Sequence, residues 1–160
     1  MIETIQKLLQ LFATEDRFAK IVAKHLSRVL LYELKGVDTL HPTLKEKYDN
    51  LYTKMSELGK PIYIVEGFRS AKNQKSLSSG VTNAGELQSY HQYGLAFDVA
   101  FKEYNWKPPL VDWWHILGQE GEKLGLVWGG KWQLKDYGHF ELHEGFTWKD
   151  LKYYFEKSGY

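Results

Sequence analysis

The sequence predicts an α+β fold in which helices flank a small antiparallel sheet, with a helical extension at the N-terminus. Apolar residues recur at helical spacing through the first 34 residues. Short, β-branched segments bounded by glycine appear only after residue 60, which is typical of strands. Because the later helices and strands alternate without βαβ regularity, an antiparallel sheet is favoured. We expect an extension over residues 1–35 and one domain over residues 36–160.

Length and composition limit the class of protein. A chain of 160 residues can bury one substantial core but is short for two domains. Apolar residues make up 43% and aromatic residues 16%, which excludes a disordered chain. The net charge of +1 gives no indication of a nucleic-acid partner. Because cysteine is absent, a metal site would have to be built from histidines and carboxylates.

The N-terminal residues lack the pattern of a signal peptide, because no basic segment precedes an uninterrupted apolar stretch. No window of the sequence approaches the roughly 20 apolar residues of a membrane span. If the protein works outside the cytoplasm, we expect another device to export or release it. The extension is compatible with packing on the domain, with dimerisation or with docking into a larger assembly, and the sequence leaves the oligomeric state open.

Helices are predicted in six places: two within residues 2–34, and the others over 43–58, at the start of 70–88, over 110–124 and over 148–157. Ala13–Asp16 forms the break between the first two helices. Thr43 is the predicted N-cap of the third helix, behind Pro42. Gly125 is placed as the glycine that follows the helix ending at Leu124.

Strands are predicted over residues 61–67, 95–101, 126–132 and 138–142. Side chains alternate between the two faces of a strand. In the second strand one face is therefore apolar, and it comprises Leu95, Phe97, Val99 and Phe101. The other face presents Asp98 between Ala96 and Ala100, and the small alanines leave space beside the carboxylate.

A carboxylate on a buried strand face requires a partner, since an unpartnered one costs several kcal/mol. Asp98 is therefore expected to meet a metal, a salt bridge or water. His91 lies just upstream of it, and Gly94 permits a tight turn that would bring the imidazole back over the same face.

A second group of polar residues lies in the last predicted strand. His139 and Glu141 share one face, whereas Phe140 and Leu142 point towards the core. Two histidines and an aspartate suit Zn²⁺ and leave a fourth tetrahedral position for water. Peptide hydrolysis at such a metal also needs a general base that is not a ligand. Asp136 and Glu141 are both candidates for the base on these grounds.

Two motifs of the chain resemble those of the M15 family of zinc peptidases: Ser89-x-His91-x-x-Gly94-x-Ala96-x-Asp98 and Asp136-x-x-His139-x-Glu141. Similar segments lie at residues 66–70 with Gln74, at 81–84 and at 125–132, so that the resemblance covers roughly residues 38–145. The family includes D-alanyl-D-alanine carboxypeptidases and dipeptidases. It also includes L-alanyl-D-glutamate peptidases found in many phage endolysins.

The resemblance implies a role for each residue of the metal motifs. His91, Asp98 and His139 would be the zinc ligands, and Asp136 would be the catalytic acid and base. The carboxypeptidase and dipeptidase branches typically have Glu at that place, so Asp136 favours the L-alanyl-D-glutamate branch. Glu141 would orient a ligand, as carboxylates beside zinc histidines commonly do.

The resemblance also implies roles around the metal. Arg69 would polarise the scissile carbonyl or stabilise the oxyanion, although an ordinary salt bridge with Glu66 is the structural alternative. Gln74 and Ser89 would hold the substrate. Two tryptophans beside the glycines of residues 129–130 are equally compatible with a substrate groove and with core packing: Trp128 and Trp132. Four histidines match no metal position and are interpreted as structural or solvated: His25, His41, His115 and His143.

One departure from the endolysin relatives affects the substrate side. They usually carry a longer, glycine-rich loop after the glutamine-bearing helix, whereas here Ser76–Gly80 continues directly into Val81. The shorter segment leaves the exact cleavage position open.

The function implied by the resemblance is that of a zinc-dependent peptidase acting on the peptidoglycan stem peptide between L-alanine and D-glutamate. A D-alanyl-D-alanine carboxypeptidase or dipeptidase is the first alternative. A non-catalytic wall-binding module on the same fold is the second. We expect action on the bacterial cell wall after holin-type release or delivery by a phage-like particle.

Overall fold

The computed structural model describes residues 2–10, 17–76 and 84–157. Its helices are α1 (Ile2–Gln10), α2 (Arg17–Leu31), α3 (Pro42–Glu57), α4 (Ala71–Ser76), α5 (Asp112–Lys123) and α6 (Trp148–Lys157). Its strands are β1 (Ile62–Glu66), β2 (Ala96–Phe101), β3 (Val127–Trp128) and β4 (His139–Glu141). Short 3₁₀ turns cover Gly36–Thr39, Tyr90–Tyr93 and Gly129–Lys131. The predicted α+β class is confirmed.

The four strands form one sheet in the order β1-β2-β4-β3, and each neighbouring pair is antiparallel. Strand β2 is therefore central, with β1 on one side and β4 on the other. Its Asp98 is the register partner of Glu66 on β1 and of His139 on β4. A register shift in β1 between Ile64 and Glu66 precedes the first of these pairs. Pairing alone thus lines up three polar residues across the sheet.

The predicted apolar face of β2 is the centre of the core. Phe97 packs edge-on against Tyr48 of α3, with ring centroids 5.3 Å apart, and stacks on Phe140 of β4 at 5.4 Å. Phe101 meets Trp114 of α5 at 4.7 Å. Such aromatic side chains contribute the largest apolar areas to a core of this size. Helices α3 and α5 consequently hold the central strand in place.

Helix α5 packs against the sheet through glycines. A Cβ atom on Gly118 would lie 2.3 Å from Cδ2 of the Trp128 ring, and one on Gly121 would lie 2.3 Å from Cε1 of Phe140. Gly125 follows the helix with a φ of +79°, as predicted for a left-handed terminating residue. Close approach of α5 to β3 and β4 therefore depends on the absence of side chains at two positions.

Two local predictions were wrong. Helix α3 is capped by His41 rather than by Thr43, because the helix begins at Pro42 and the His41 Nδ1 accepts a hydrogen bond from the Thr43 N–H at 3.3 Å. The strand predicted over 126–132 is confined to β3. The backbone turns after it because the carbonyl of Gly129 accepts hydrogen bonds from the N–H groups of both Trp132 and Asp136, each at 3.1 Å.

The N-terminal region forms two helices, as predicted, while the break predicted at 13–16 and the loop predicted around 78–80 lie outside the described residues. Val22, Ala23 and Leu26 of α2 are fully buried in the same core as β2. Phe18 of α2 stacks on Phe146, with ring centroids 4.3 Å apart. Helix α2 therefore packs on the domain, and the division at residue 35 stays a prediction. None of the helices described is long and apolar enough to cross a membrane.

Gly118→Ala is expected to destabilise the protein, although alanine favours helix by about 1 kcal/mol over glycine. The added methyl would overlap the buried Trp128 ring, and overpacking of this kind costs about 1–3 kcal/mol. Urea unfolding followed by circular dichroism measures the difference. Gln119→Ala, at the next, exposed position of α5, is the control and should change the free energy of unfolding little. Equal stability of the two variants would contradict the packing argument.

Candidate metal centre and cleft

Three potential ligand atoms from separate parts of the chain converge beside the two inner strands of the sheet, β2 and β4. The His139 Nδ1 lies 2.8 Å from Oδ1 of Asp98 and 3.3 Å from Nε2 of His91. The His91 Nε2 lies 3.4 Å from Oδ2 of Asp98. His91 and His139 are 2% and 6% exposed, so both rings are removed from bulk water. The structure brings together the three residues predicted as metal ligands.

Each of these side chains is positioned by local structure. Asp98 and His139 are direct cross-strand partners in β2 and β4. His91 lies in the 3₁₀ turn that follows Ser89, whose side chain accepts the His91 N–H at 3.3 Å in a capping box with Gln92. Gly94 ends the turn with a φ of +67°. The tight glycine turn predicted between His91 and Asp98 is confirmed.

The second nitrogen of each imidazole is also engaged. The His91 Nδ1 lies 2.7 Å from the Gly67 carbonyl oxygen, and the His139 Nε2 lies 3.0 Å from Oε1 of Glu141. Such contacts fix the tautomer and orientation of a metal-ligating histidine. Glu141 bonds through its other oxygen to the His143 Nε2 at 2.6 Å. The contact required of a ligand-orienting Glu141 is therefore present.

The two carboxylates beside His139, those of Asp98 and Glu141, favour a positive charge at this position. Burial opposes ionisation of Asp98, but hydrogen bonds from His139 and His91 outweigh it and hold the pKa of the carboxyl well below its usual range. Burial likewise disfavours a charged His139, yet hydrogen bonds to Asp98 and Glu141 raise its pKa to about 10. Asp98 and Glu141 therefore favour a positive charge at the position between them.

The donor set fits a divalent metal. Among the described residues, His91, Asp98 and His139 form a group whose ligand atoms all lie within 4.8 Å of one another. Imidazole nitrogens and a carboxylate oxygen are ligands that zinc prefers, and three protein donors leave a coordination position for water or substrate.

Arg69 is held beside the centre by two side chains. Its guanidinium donates to both oxygens of Glu66, and its Nη1 donates to Oε1 of Gln74 at 2.9 Å. Its Nη2 lies 3.9 Å from Oδ2 of Asp98. The salt bridge with Glu66, considered as an alternative to a catalytic role, is therefore present. Because Arg69 also lines the cleft, the salt bridge fixes the guanidinium and leaves a catalytic role open.

Asp136 lines the same cleft without belonging to the group of three donors. Burial raises the pKa of its carboxyl, and the nearby charge of Asp98 adds to the increase, while His139 and Arg69 offset part of it. A raised pKa suits a carboxyl group that must accept and return a proton near neutral pH.

The cleft has a volume of about 1200 Å³ and contains some of the predicted substrate-binding residues. Ser89 and Trp132 line it. Gln74 is 2% exposed and bonds instead to Arg69 and, at 2.6 Å, to the Ala84 carbonyl oxygen, so it supports the arginine.

Trp128 does not line the cleft, and the core-packing alternative holds for it. Its ring is 5% exposed and packs against Gly118 and Gly130, while its Nε1 donates to the Tyr137 carbonyl oxygen at 2.8 Å. Residues 81–83 of the family-like segment 81–84 lie outside the described residues, whereas Ala84 lines the cleft.

Several cleft residues were not predicted from the sequence, and three of them are Trp106, Tyr90 and His143. Trp106 follows β2 in an irregular segment that carries no motif. Tyr90 occupies an unspecified position of the ligand motif, between Ser89 and His91. His143 was interpreted as structural or solvated, yet it lines the cleft and stacks on Tyr90 with ring centroids 4.4 Å apart. The alternation of His139, Glu141 and His143 along one strand face was the signal that could have identified it.

Comparison with known proteins places these features in a family. A family model described as D-alanyl-D-alanine carboxypeptidase matches residues 82–142, which include both metal motifs. The peptidoglycan L-alanyl-D-glutamate endopeptidase CwlK of Bacillus subtilis (strain 168) is 32% identical over 151 residues, covering 82% of this chain and 90% of CwlK. The chain belongs to the M15 peptidase family. M15 peptidases are metallopeptidases, so the protein is an enzyme of that class.

Solved structures of other M15-like peptidases share the fold. The L-Ala D-Glu endopeptidase ChiX of Serratia marcescens is 25% identical, with a TM-score of 0.50 over 72% of this chain and 86% of ChiX. The vancomycin resistance D,D-pentapeptidase VanY, solved with Zn(II), is 14% identical, with a TM-score of 0.51 over 71% of this chain and 83% of VanY. The L,D-carboxypeptidase DacB from Streptococcus pneumonia is 23% identical, with a TM-score of 0.50 over 74% of this chain and 72% of DacB.

Glu141→Gln is expected to weaken zinc binding by about 10- to 100-fold, because the neutral amide orients and polarises His139 less well. Competition with a chromogenic chelator measures the zinc affinity. Glu144→Gln removes the same charge from an exposed residue of the following turn and is the matched control. If both variants bound zinc as tightly as the unaltered protein, Glu141 would not support the metal.

Proposed function

We propose that the protein is a zinc-dependent peptidoglycan peptidase that hydrolyses the stem peptide between L-alanine and D-glutamate. The observation that carries the proposal is the convergence of His91, Asp98 and His139 in a cleft that also contains a non-ligating acid, Asp136. The similarity to CwlK, which is named for this bond, supports the choice of substrate. Action would take place at the bacterial cell wall, after holin-type release or delivery by a phage-like particle.

The catalytic roles follow from the contacts around the three donors. Zinc, when bound, supplies a Lewis acid that lowers the pKa of a coordinated water. The Asp136 carboxylate would take a proton from the attacking water and return it to the nitrogen of the leaving D-glutamate. A pKa above the ordinary aspartate value favours the return of the proton to the leaving nitrogen.

Arg69 would stabilise the negative charge that develops on the scissile carbonyl oxygen. Its hydrogen bonds to Glu66 and Gln74 fix the guanidinium before substrate arrives, so little reorganisation is needed during reaction. Fixed donors of this kind typically contribute more to catalysis than mobile ones.

A D-alanyl-D-alanine carboxypeptidase is the second candidate. The description of the matching family model favours it. Asp136 weighs against it, because by resemblance the carboxypeptidase branch typically has Glu at this position. A non-catalytic wall-binding module is disfavoured by the complete set of donors.

Digestion of purified peptidoglycan distinguishes these functions. With zinc present, we expect mass spectrometry to identify fragments with a new N-terminal D-glutamate. A chelator should abolish their formation, and added zinc should restore it. Release of free D-alanine would establish the carboxypeptidase alternative, and intact peptidoglycan with zinc-loaded protein would exclude both.

Asp136→Asn is expected to retain zinc and to lower kcat by about 10²- to 10⁴-fold, because the amide cannot accept the proton. In the unaltered enzyme, kcat/KM should fall as the pH drops through the pKa of Asp136, and burial places this limb above the ordinary value of 3.8. Asp112→Asn, at an exposed residue outside the cleft, is the control. Near-normal wall cleavage by Asp136→Asn would refute the assignment.

A further inference from the structure

Part of the cleft lining is aromatic or uncharged. We define the aromatic wall as Trp106, Trp132, Gln133 and Leu134, all of which line the cleft. Trp106 is 49% exposed, Trp132 37% and Leu134 66%. The remaining lining contains the carboxylates, Arg69, Lys149 and the histidines, together with Tyr90 and Trp148. Large exposed aromatic surface at a catalytic cleft is unfavourable in water unless a ligand covers it.

The two indole rings are held in fixed positions. Trp106 stacks on the buried Trp114, with ring centroids 6.2 Å apart and an interplanar angle of 21°. It also lies against Gly138, where a Cβ atom would be 2.6 Å from Cζ3 of the ring. The backbone N–H of Trp132 donates to the Gly129 carbonyl oxygen, and the indole ring centroid is 5.0 Å from the imidazole centroid of His139. Preorganised rings bind a ligand with a smaller entropic cost.

The chemistry of the wall matches a sugar better than it matches a peptide carboxylate. A pyranose ring presents a face of C–H groups that packs on an indole, and its hydroxyl and N-acetyl groups form hydrogen bonds with an amide such as that of Gln133. The stem peptide beyond the proposed scissile bond carries carboxylates. Those suit the part of the cleft lined by Lys149.

We propose that the aromatic wall is a subsite for the amino sugar that carries the stem peptide. The inference rests on the proposed function, because in peptidoglycan a lactyl group joins the L-alanine nitrogen to that sugar. The sugar is then about two residue lengths, or ~7 Å, from the scissile carbonyl. Trp132, in ring contact with the ligand His139, lies within this reach. The enzyme therefore favours stem peptides that are still attached to glycan over peptides already released from it.

The proposed subsite determines when this cleavage can occur during wall degradation. Cleavage at this site would precede any reaction that removes the whole stem peptide from the sugar, because removal would eliminate the group that the wall binds. The product of the enzyme would be a glycan that retains lactyl-L-alanine.

A matched pair of substrates tests the proposal. One is the stem peptide attached to N-acetylmuramic acid, and the other is the same peptide without the sugar. We expect kcat/KM to be about 10-fold higher for the sugar-linked substrate, chiefly through a lower KM. Trp106→Ala should reduce this ratio by about 3- to 10-fold, the range expected for the loss of one aromatic contact. Trp113→Ala, at a tryptophan outside the cleft, should preserve the ratio.

Binding is measured separately from catalysis. The peptide-free disaccharide of N-acetylglucosamine and N-acetylmuramic acid should quench tryptophan fluorescence of the unaltered protein and of Trp113→Ala, but much less that of Trp106→Ala. Circular dichroism of each variant establishes that it is folded. Equal kcat/KM for the two substrates together with absent quenching would overturn the proposal. If sedimentation showed self-association that Trp106→Ala abolished, and no sugar bound, the proposal would also be overturned. The aromatic wall would then be a contact between copies of the protein.

The outcomes separate the two proposals. If neither substrate were cut between L-alanine and D-glutamate, the proposed function would fail, while disaccharide quenching would still report on the wall. If both were cut at this bond with a ratio of one and without quenching, the proposed function would stand and the sugar subsite would be excluded.

Discussion

The buried pair of Asp98 and His139 is the interaction on which the rest of the site depends. A carboxylate removed from water costs several kcal/mol unless charge and hydrogen bonds compensate it. Here the sheet register supplies part of that compensation, because it sets His139 directly opposite Asp98. The third donor, His91, adds to it from a turn outside the sheet. The same residues that resolve the burial of a charge thereby create a place for a divalent metal.

Strand periodicity explains why the metal centre could be predicted and much of the cleft could not. The alternation of faces in β2 and β4 is a local property, so the shared faces of Asp98, His139 and Glu141 followed from spacing alone. Whether Trp128 and Trp106 lie in the core or in the cleft depends on packing partners that are distant in the sequence. The Trp128 ring fits into the core because it packs against Gly118 of α5. The Trp106 ring packs against Gly138 and Trp114 and lines the cleft. Neither contact leaves a signal in the neighbouring sequence.

Some residues that hold the metal centre in place lie well before residues 82–142, the segment that matches the family model. His25 of α2 lies with its Nε2 2.8 Å from the Thr39 carbonyl oxygen, and the Thr39 hydroxyl accepts the Phe68 N–H at 2.9 Å. The adjacent Gly67 carbonyl bonds to His91. An unbroken series of hydrogen-bonded neighbours therefore connects the N-terminal helix with a metal ligand. Rigidity of this kind keeps donor atoms in place while substrate enters and leaves.

Burial of α2 in the common core has a consequence for moving this enzyme into other proteins. A fragment that started at residue 36 would expose the apolar surface that Val22, Ala23 and Leu26 cover, and it would lose the histidine beside Thr39. Linkers to a targeting or wall-anchoring partner would therefore be better attached ahead of α2 or after α6. The unit that can be transferred to another protein therefore includes α2 as well as the segments that carry the motifs.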